Sequence, residues 1–506
     1  MKNESRLQKA FYSTFTSGIY QVLYIVCGFV TQRLILGAFG SAYNGVVASI
    51  TQFLNFFTIF SVGISGATRV ALYKTLSKQD IIGTSAIIKA NKSYYRKVAV
   101  GLIIYIIILA VIFPTVMKKE APVFTVNALV LIIGMSNFAS TYWGNTFRVL
   151  LIADQKSYII NTINSLALIL NVIVLWSIIR LRGDIVGAKL GSNLIYFLCP
   201  LIIFLIVKKS YNLRNDVQPD YSALNGRWDV LANSFANIIH GNVDIFFITM
   251  FCSAIEISVY SIYFTVSDGL MKLMNVITNG IEAAFGNMWA KGEKDNLRSN
   301  LNKFEYLMFS LSIVLFGSLY VLLVPFMSVY TKNITDADYL RPTLALVFAL
   351  SELTMSVRTP YVLLVQAAGH YKQTKIGSFI EAGLNVFLTF FLVMKTGIIG
   401  AIIGTIIANL FRSIQYGVYA SKHIIERPLS TMFLKFLWLF ITLCVCVKSA
   451  QLACSFFAVS NWGSWILYSV VCVFVHILIV FLSSALFYRQ DLQSVVKLTF
   501  RLVKRG

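Results

Sequence analysis

The residues of this sequence that could do chemistry are charges set in apolar surroundings. Arg33 (in VTQRLIL), Lys272, Arg358, Arg412 and Lys448 interrupt hydrophobic runs, and Arg69 and Arg148 stand at the ends of two others. Asp244, Asp268, Glu282, Glu352 and Glu381 are the acids in such runs. A charge in the middle of a bilayer costs roughly 2.5–3.5 kcal/mol on insertion scales, so it faces a wet cavity or a partner. A cation facing a cavity attracts phosphate, and a buried carboxyl has a raised pKa and can carry a proton. Asp268 lies four residues before Lys272, which is the spacing of a self-neutralising helical ion pair. For Arg412 the competing reading is a structural pair with Glu381 of the preceding helix. Arg358 precedes Pro360, and a proline there frees a carbonyl and can kink the helix, so Arg358 reads as a pocket residue. Arg33, near the outer end of its run, and Arg69, near the inner end of the next, can snorkel or bind. The candidate binding residues are therefore Arg33, Arg69, Lys272, Arg358 and Arg412. Asp244, with Asn237, His240 and Asn242 close in sequence, is the first choice for ion coupling, and Asp268 and Glu381 are the others.

The elements that must position these charges are transmembrane helices. Of the 506 residues 57% are hydrophobic and 13% charged, where soluble proteins carry about a quarter charged. Runs of about twenty apolar residues span the hydrocarbon, and inside lipid the backbone must satisfy its own hydrogen bonds, which makes them helices. The pattern predicts about fourteen, at 12–37, 44–68, 97–116, 126–151, 158–180, 187–207, 230–251, 257–284, 304–330, 342–367, 374–395, 398–421, 432–457 and 464–487. The first run is too long for a cleaved leader and reads as a retained helix. With alternate loops on opposite faces, 30 of the 43 Lys and Arg fall on the side of the N-terminus and 8 on the other. The positive-inside rule then puts both termini in the cytoplasm. Arg180, Arg182 and Lys189 are the exception, grouped in one outer loop. The net charge of +22 follows from this asymmetry rather than from nucleic-acid binding. The seven Cys lie in or beside apolar runs without zinc-ligand spacing and read as inert thiols. No P-loop, dinucleotide fingerprint, HExxH or GxSxG occurs, so no catalytic residue, metal or cofactor is assigned and the chain does not read as an enzyme.

The chain also reads as two related halves. LLIADQKSYIINTINSLALILNV from Leu150 aligns with LVQAAGHYKQTKIGSFIEAGLNV from Leu364, with Ala153 on Ala367 and Asn171 on Asn385. Each leads into a glycine-marked helix start, Gly183, Gly187 and Gly191 in one and Gly397, Gly400 and Gly404 in the other. Six helices per repeat is an even number, so the repeats are parallel, related by an axis along the membrane normal. The expected layout is a first lobe over 1–207, a polar cytoplasmic linker over 208–229, a second lobe over 230–422, and two further helices with a tail over 423–506.

These segments resemble a known family. LGAFGSAYNGVVASITQFLNFFTIFSVGISGATRVALYK (36–74), LLIADQKSYI (150–159), GNVDIFFITMF with the following VYSIYF and FGNMWA, and RTPYVLLVQAAGHYKQTKIGSFIEAGLN (358–385) are similar to the polysaccharide flippase branch of the MOP superfamily, the Wzx-like oligosaccharide repeat-unit exporters. The resemblance covers helices one to twelve; the last two carry no matching motif. It implies an all-α membrane protein with two six-helix lobes about a central cavity, plus two C-terminal helices. It further implies that an undecaprenyl-pyrophosphate-linked oligosaccharide is carried from the inner to the outer leaflet of the cytoplasmic membrane for surface polysaccharide synthesis. Membrane lipids and the assembly proteins of that synthesis are the partners to expect. A MATE-type drug or cation antiporter and a lipid II flippase, both of the same superfamily, are the alternatives.

Overall fold

The computed structural model describes residues 6–117, 120–224, 242–278 and 281–503. Every regular element among them is helical. In chain order these are α1 (Arg6–Phe56), α2 (Ile59–Ser77), α3 (Ile81–Val116), α4 (Val123–Ala139), α5 (Asn145–Ala153), α6 (Ser157–Arg180) and α7 (Ile185–Ser210). They continue with α8, described over Asn242–Phe251, then α9 (Ala254–Thr278), α10 (Ile281–Ala290), α11 (Lys294–Tyr330), α12 (Pro342–Ala367), α13 (Tyr371–Thr396) and α14 (Ile398–His423). The last are α15 (Leu429–Cys454), α16 (Trp462–Phe487) and α17 (Arg489–Val503). Among the described residues ten segments are long and apolar enough to cross a membrane. The α12 helix is not one of them, because Ser351, Glu352, Thr354, Ser356, Arg358 and Thr359 lower its hydropathy. By packing, the chain forms two compact units, Met1–Thr265 and Val266–Gly506.

Helix ends differ from the sequence reading where the chain breaks inside an apolar run. The first two expected spans are joined as α1, bent at Gly40, whose φ of 84° and ψ of 175° are open only to glycine. The expected second span then breaks after Phe56 and resumes as α2. The expected fourth span is α4 and α5 joined by a π turn at Ser140–Gly144. The expected eighth is described as α9 up to Thr278 and as α10 from Ile281, with 279–280 outside the described residues. In the other direction, α12 runs uninterrupted through Pro360. Of the expected seventh span, 230–241 lies outside the described residues, Asn237 and His240 included.

The matched asparagines do matched work. On α6, buried Asn171 donates to the carbonyl of Ser192 on α7 at 3.1 Å. On α13, buried Asn385 donates to Thr405 Oγ1 on α14 at 2.8 Å. The acceptors lie 21 and 20 residues on, the same one-residue difference by which Gly187 and Gly191 align with Gly400 and Gly404 relative to the asparagines. The glycines before α14 also have a physical reason. Gly397 turns the chain with a φ of 60°, and a Cβ on Gly400 would lie 2.1 Å from the Leu392 carbonyl oxygen. Side chains are excluded from that tight α13–α14 crossing.

Within the first unit, polar contacts fasten α1 to the start of α9. Asn44 Nδ2 donates to Ser258 Oγ at 2.9 Å and Gln32 Nε2 to Thr265 Oγ1 at 3.0 Å. Just beyond the Asn44 contact the backbones almost touch: a Cβ on Gly45 would sit 1.8 Å from the Ala254 carbonyl oxygen. Short polar side chains and glycine allow this close approach, as in other membrane helix pairs.

Candidate functional site

The second unit holds a three-helix charge cluster on Glu381. Arg358 on α12 donates through Nη1 to Glu381 Oε1, and Arg412 on α14 sets its Nε 3.3 Å from Glu381 Oε2. All three are buried, with 7%, 1% and 6% exposure for Arg358, Arg412 and Glu381. One carboxylate between two guanidiniums leaves the cluster one positive charge in excess.

The two arginines are not equivalent. A guanidinium has five N–H donors, and those of Arg412 all point at protein acceptors. Besides Glu381 they reach the Thr374 carbonyl at 3.0 Å, Gln415 Oε1, Ser378 Oγ and Tyr416 OH, with the guanidinium carbon 3.8 Å from the Tyr416 ring centre. Gly377 makes room for this head group, since a Cβ there would lie 2.2 Å from Arg412 Nη1. Arg412 is therefore saturated, and the pairing with Glu381 accounts for it. Arg358 makes no second hydrogen bond among the described residues, so it keeps donors for an anion. Both were expected as binding residues; Arg412 is fully engaged by protein acceptors, whereas Arg358 has one described hydrogen bond, to the carboxylate they share.

Asp268 and Lys272 do form the i,i+4 pair on α9, at 2.6 Å and with about 30% exposure on each side chain. Glu352 of α12 lies within electrostatic reach of Asp268. This second group holds two carboxylates and one ammonium, so its charge balance is opposite to that of the Glu381 cluster. Glu352 also stands on the same helix as Arg358, six residues before it.

Of the remaining residues, Arg33, Arg69, Arg148 and Asp244 are in the first unit, and Glu282 and Lys448 in the second. Arg33 on α1 and Arg69 on α2 are half-buried, and Arg69 Nε is buried without a hydrogen-bond partner among the described residues. Asp244 on α8 is half-buried and does have an interacting partner. Arg148 reaches Asn164 Oδ1 at 3.5 Å. Glu282 and Lys448 are exposed.

Sequence reasoning missed one cluster altogether. Glu305 of α11, 0% exposed, receives Arg427 from the α14–α15 loop through both Nη groups and Lys435 of α15 at 2.7 Å. Asn302 adds its Oδ1 to Arg427 at 2.8 Å and to Lys435 at 3.2 Å. None of Glu305, Arg427 and Lys435 is among the charges singled out from the sequence. The available signal was that Glu305 and Lys435 both fall inside expected spans, 304–330 and 432–457, with Arg427 and Pro428 in the short segment before the second.

No family model and no curated protein matches the sequence. Solved structures share its fold. Lipid II flippase MurJ in an inward closed conformation aligns with a TM-score of 0.72 at 15% identity, covering 94% of this chain and 98% of that one. A MOP superfamily transporter from Pyrococcus furiosus, whose binding pocket is described as having reverse polarity, aligns with a TM-score of 0.58 at 14% identity over 83% of this chain and 97% of that one. An inward-facing multidrug resistance MATE family transporter of the MOP superfamily gives a TM-score of 0.54 at 12% identity over 86% and 96%. At these identities the likeness is one of fold, and the fold is that of the MOP transporters.

Proposed function

We propose that this chain is a multi-pass transporter that flips a polyprenyl-pyrophosphate-linked oligosaccharide from the inner to the outer leaflet of the cytoplasmic membrane. The observation that carries this reading is the alignment with a lipid II flippase over nearly the whole length of both chains. The two other aligned transporters leave uncovered a share of this chain about the size of α15, α16 and the tail. Function is drawn here from fold together with the charged residues described above. The two six-helix lobes, 1–207 and 230–422, open alternately to the two faces about the linker, and both termini lie in the cytoplasm. Arg358 binds the pyrophosphate, with Glu381 and Arg412 holding it in place. Arg33, Arg69 and Lys272 are the further cations along the path, Lys272 by exchanging Asp268 for phosphate. Asp268, with Glu352 beside it, is the ion-coupling group, ahead of Asp244. Polysaccharide assembly proteins are the expected partners at the membrane.

The two carboxylates beside one ammonium favour a second reading, a cation-coupled drug antiporter of the MATE kind. One assay separates them. Proteoliposomes receive either a fluorescent lipid-linked glycan or a cationic dye, and the initial rate is followed. Glycan flipping that falls about ten-fold in Arg358→Gln and is unchanged in Lys448→Gln supports the proposal. Dye transport without glycan flipping overturns it in favour of the antiporter.

A further inference from the structure

A separate cavity lies wholly in the first unit, and the reading above does not use it. The polar segment after α7 does not hang free. Tyr211 OH donates to Asp154 Oδ2 at 2.6 Å and receives Lys156 Nζ at 3.2 Å. Burial and the Asp154 carboxylate hold that phenol above its ordinary pKa, so it stays a donor. Further along, Lys89 Nζ of α3 donates to the carbonyls of Asn215 and Val217 at 3.0 and 2.9 Å, and the Asp220 amide to the Ala86 carbonyl at 3.1 Å. The segment is thereby strapped across the first four turns of α3.

Under the strap is a cavity of about 740 Å³, within the size range of small-molecule sites. Five cations line it: Lys89, Lys92 and Arg96 from α3, Lys208 from the end of α7, and Arg214 from the strap. Phe147 and Phe204 add apolar wall. No carboxylate lines it among the described residues. The strap's Asp220 is turned to its own turn, with Oδ1 accepting from the Ser222 amide and hydroxyl at 2.9 and 2.6 Å. Lys92, Lys208 and the Arg214 side chain make no hydrogen bond or ion pair among the described residues, and Lys92 stands within electrostatic reach of Arg96, like charge beside like. A surface that only needed positive charge toward the cytoplasm would spread these residues apart. Gathering them round one cavity without a counter-charge costs repulsion that an anion removes.

We propose that this cavity is a second anion site, which takes a phosphate-bearing group carrying more than one negative charge. Phosphate oxygens match the donors, and five cations exceed what one singly charged group neutralises. The apolar wall suits the glycerol and first methylenes of a phospholipid, while a free diphosphate would use the cations alone.

The test uses the full chain. Inorganic pyrophosphate is titrated into detergent-solubilised protein by calorimetry. In parallel, lipid retention is read by native mass spectrometry from nanodiscs of phosphatidylcholine with and without cardiolipin. The triple variant Lys92→Gln, Arg96→Gln, Arg214→Gln is expected to lose about ten-fold or more in affinity, and Lys92→Arg, Arg96→Lys, Arg214→Lys to keep binding within about three-fold. Pyrophosphate binding that the triple Gln variant abolishes identifies a soluble phosphate as the source; cardiolipin retention so abolished identifies a headgroup. If neither probe binds above neutral lipid, or the Gln variant binds both as well as the parent, the proposal is overturned. Arg214→Gln alone, at an exposed side chain with no contact to lose, is the fallback should the triple variant not fold.

Discussion

Replacing Glu381 by Gln keeps the shape of the side chain and removes the charge on which Arg358 and Arg412 converge. Two charge-assisted contacts are lost, each worth about 1.5–3 kcal/mol. What remains is two guanidiniums at 7% and 1% exposure with no counter-charge nearby. Removing one partner of a buried ion pair typically costs about 3–5 kcal/mol, and the two figures agree. The partners are not equally affected, because Arg412 keeps Thr374, Gln415, Ser378 and Tyr416 while Arg358 keeps nothing else described. Most of the penalty therefore falls on Arg358, and a second change, Arg358→Gln, should recover a large part of it. Thermal unfolding of purified Glu381→Gln in detergent should show the apparent melting temperature lowered by about 5 °C or more. The double variant should melt between it and the parent. A Glu381→Gln protein as stable as the parent, or a double variant less stable than either single one, would refute the account of one carboxylate balancing two buried cations.

Three further outcomes are expected. Gly377→Ala displaces the Arg412 head group without changing any charge, so its cost should be smaller, about 1–3 kcal/mol, and the additional loss on combining it with Arg412→Lys should be slight, as a double-mutant cycle in thermal unfolding would read. Glu305→Gln leaves Arg427 and Lys435 buried beside a neutral amide; hydrogen exchange in the first turns of α15 should rise strongly while that of α6 stays unchanged. Gly45→Ala sets a methyl against the fixed Ala254 carbonyl, which has no flexible end to yield, so it should lower expression and melting temperature more than Gly37→Ala, where a Cβ meets open space.

Hydropathy made the helices legible because length and apolarity are what a bilayer demands. It could not show breaks such as Gly40 or the Phe57–Thr58 step, since a change of direction inside an apolar run leaves the hydropathy unaltered. The Lys272–Asp268 pair was legible because both residues lie on one helix, where spacing alone sets the distance. The pairing of Arg412 with Glu381 could be named because their helices are consecutive. That Arg358 joins the same carboxylate was not, because it requires α12 to pack on the α13–α14 pair, which is tertiary information. The equivalence of Asn171 and Asn385 was visible as alignment, and the structure supplies its reason in the donor each gives to the following helix. Glu305 escaped notice because it stands at the very start of its expected span, 304–330, where a charge looks interfacial in one dimension, whereas the fold closes over it.

The buried meeting of Glu305 with Arg427 and Lys435 has a mechanical meaning. It fastens α15 to α11, on which α16 also packs, by charges that no water can loosen one at a time. If the protein rocks as proposed, these late helices must ride along as passengers of α11 and cannot swing as a gate of their own. Any groove they border would keep its width through the cycle, like a rail fixed to a moving carriage.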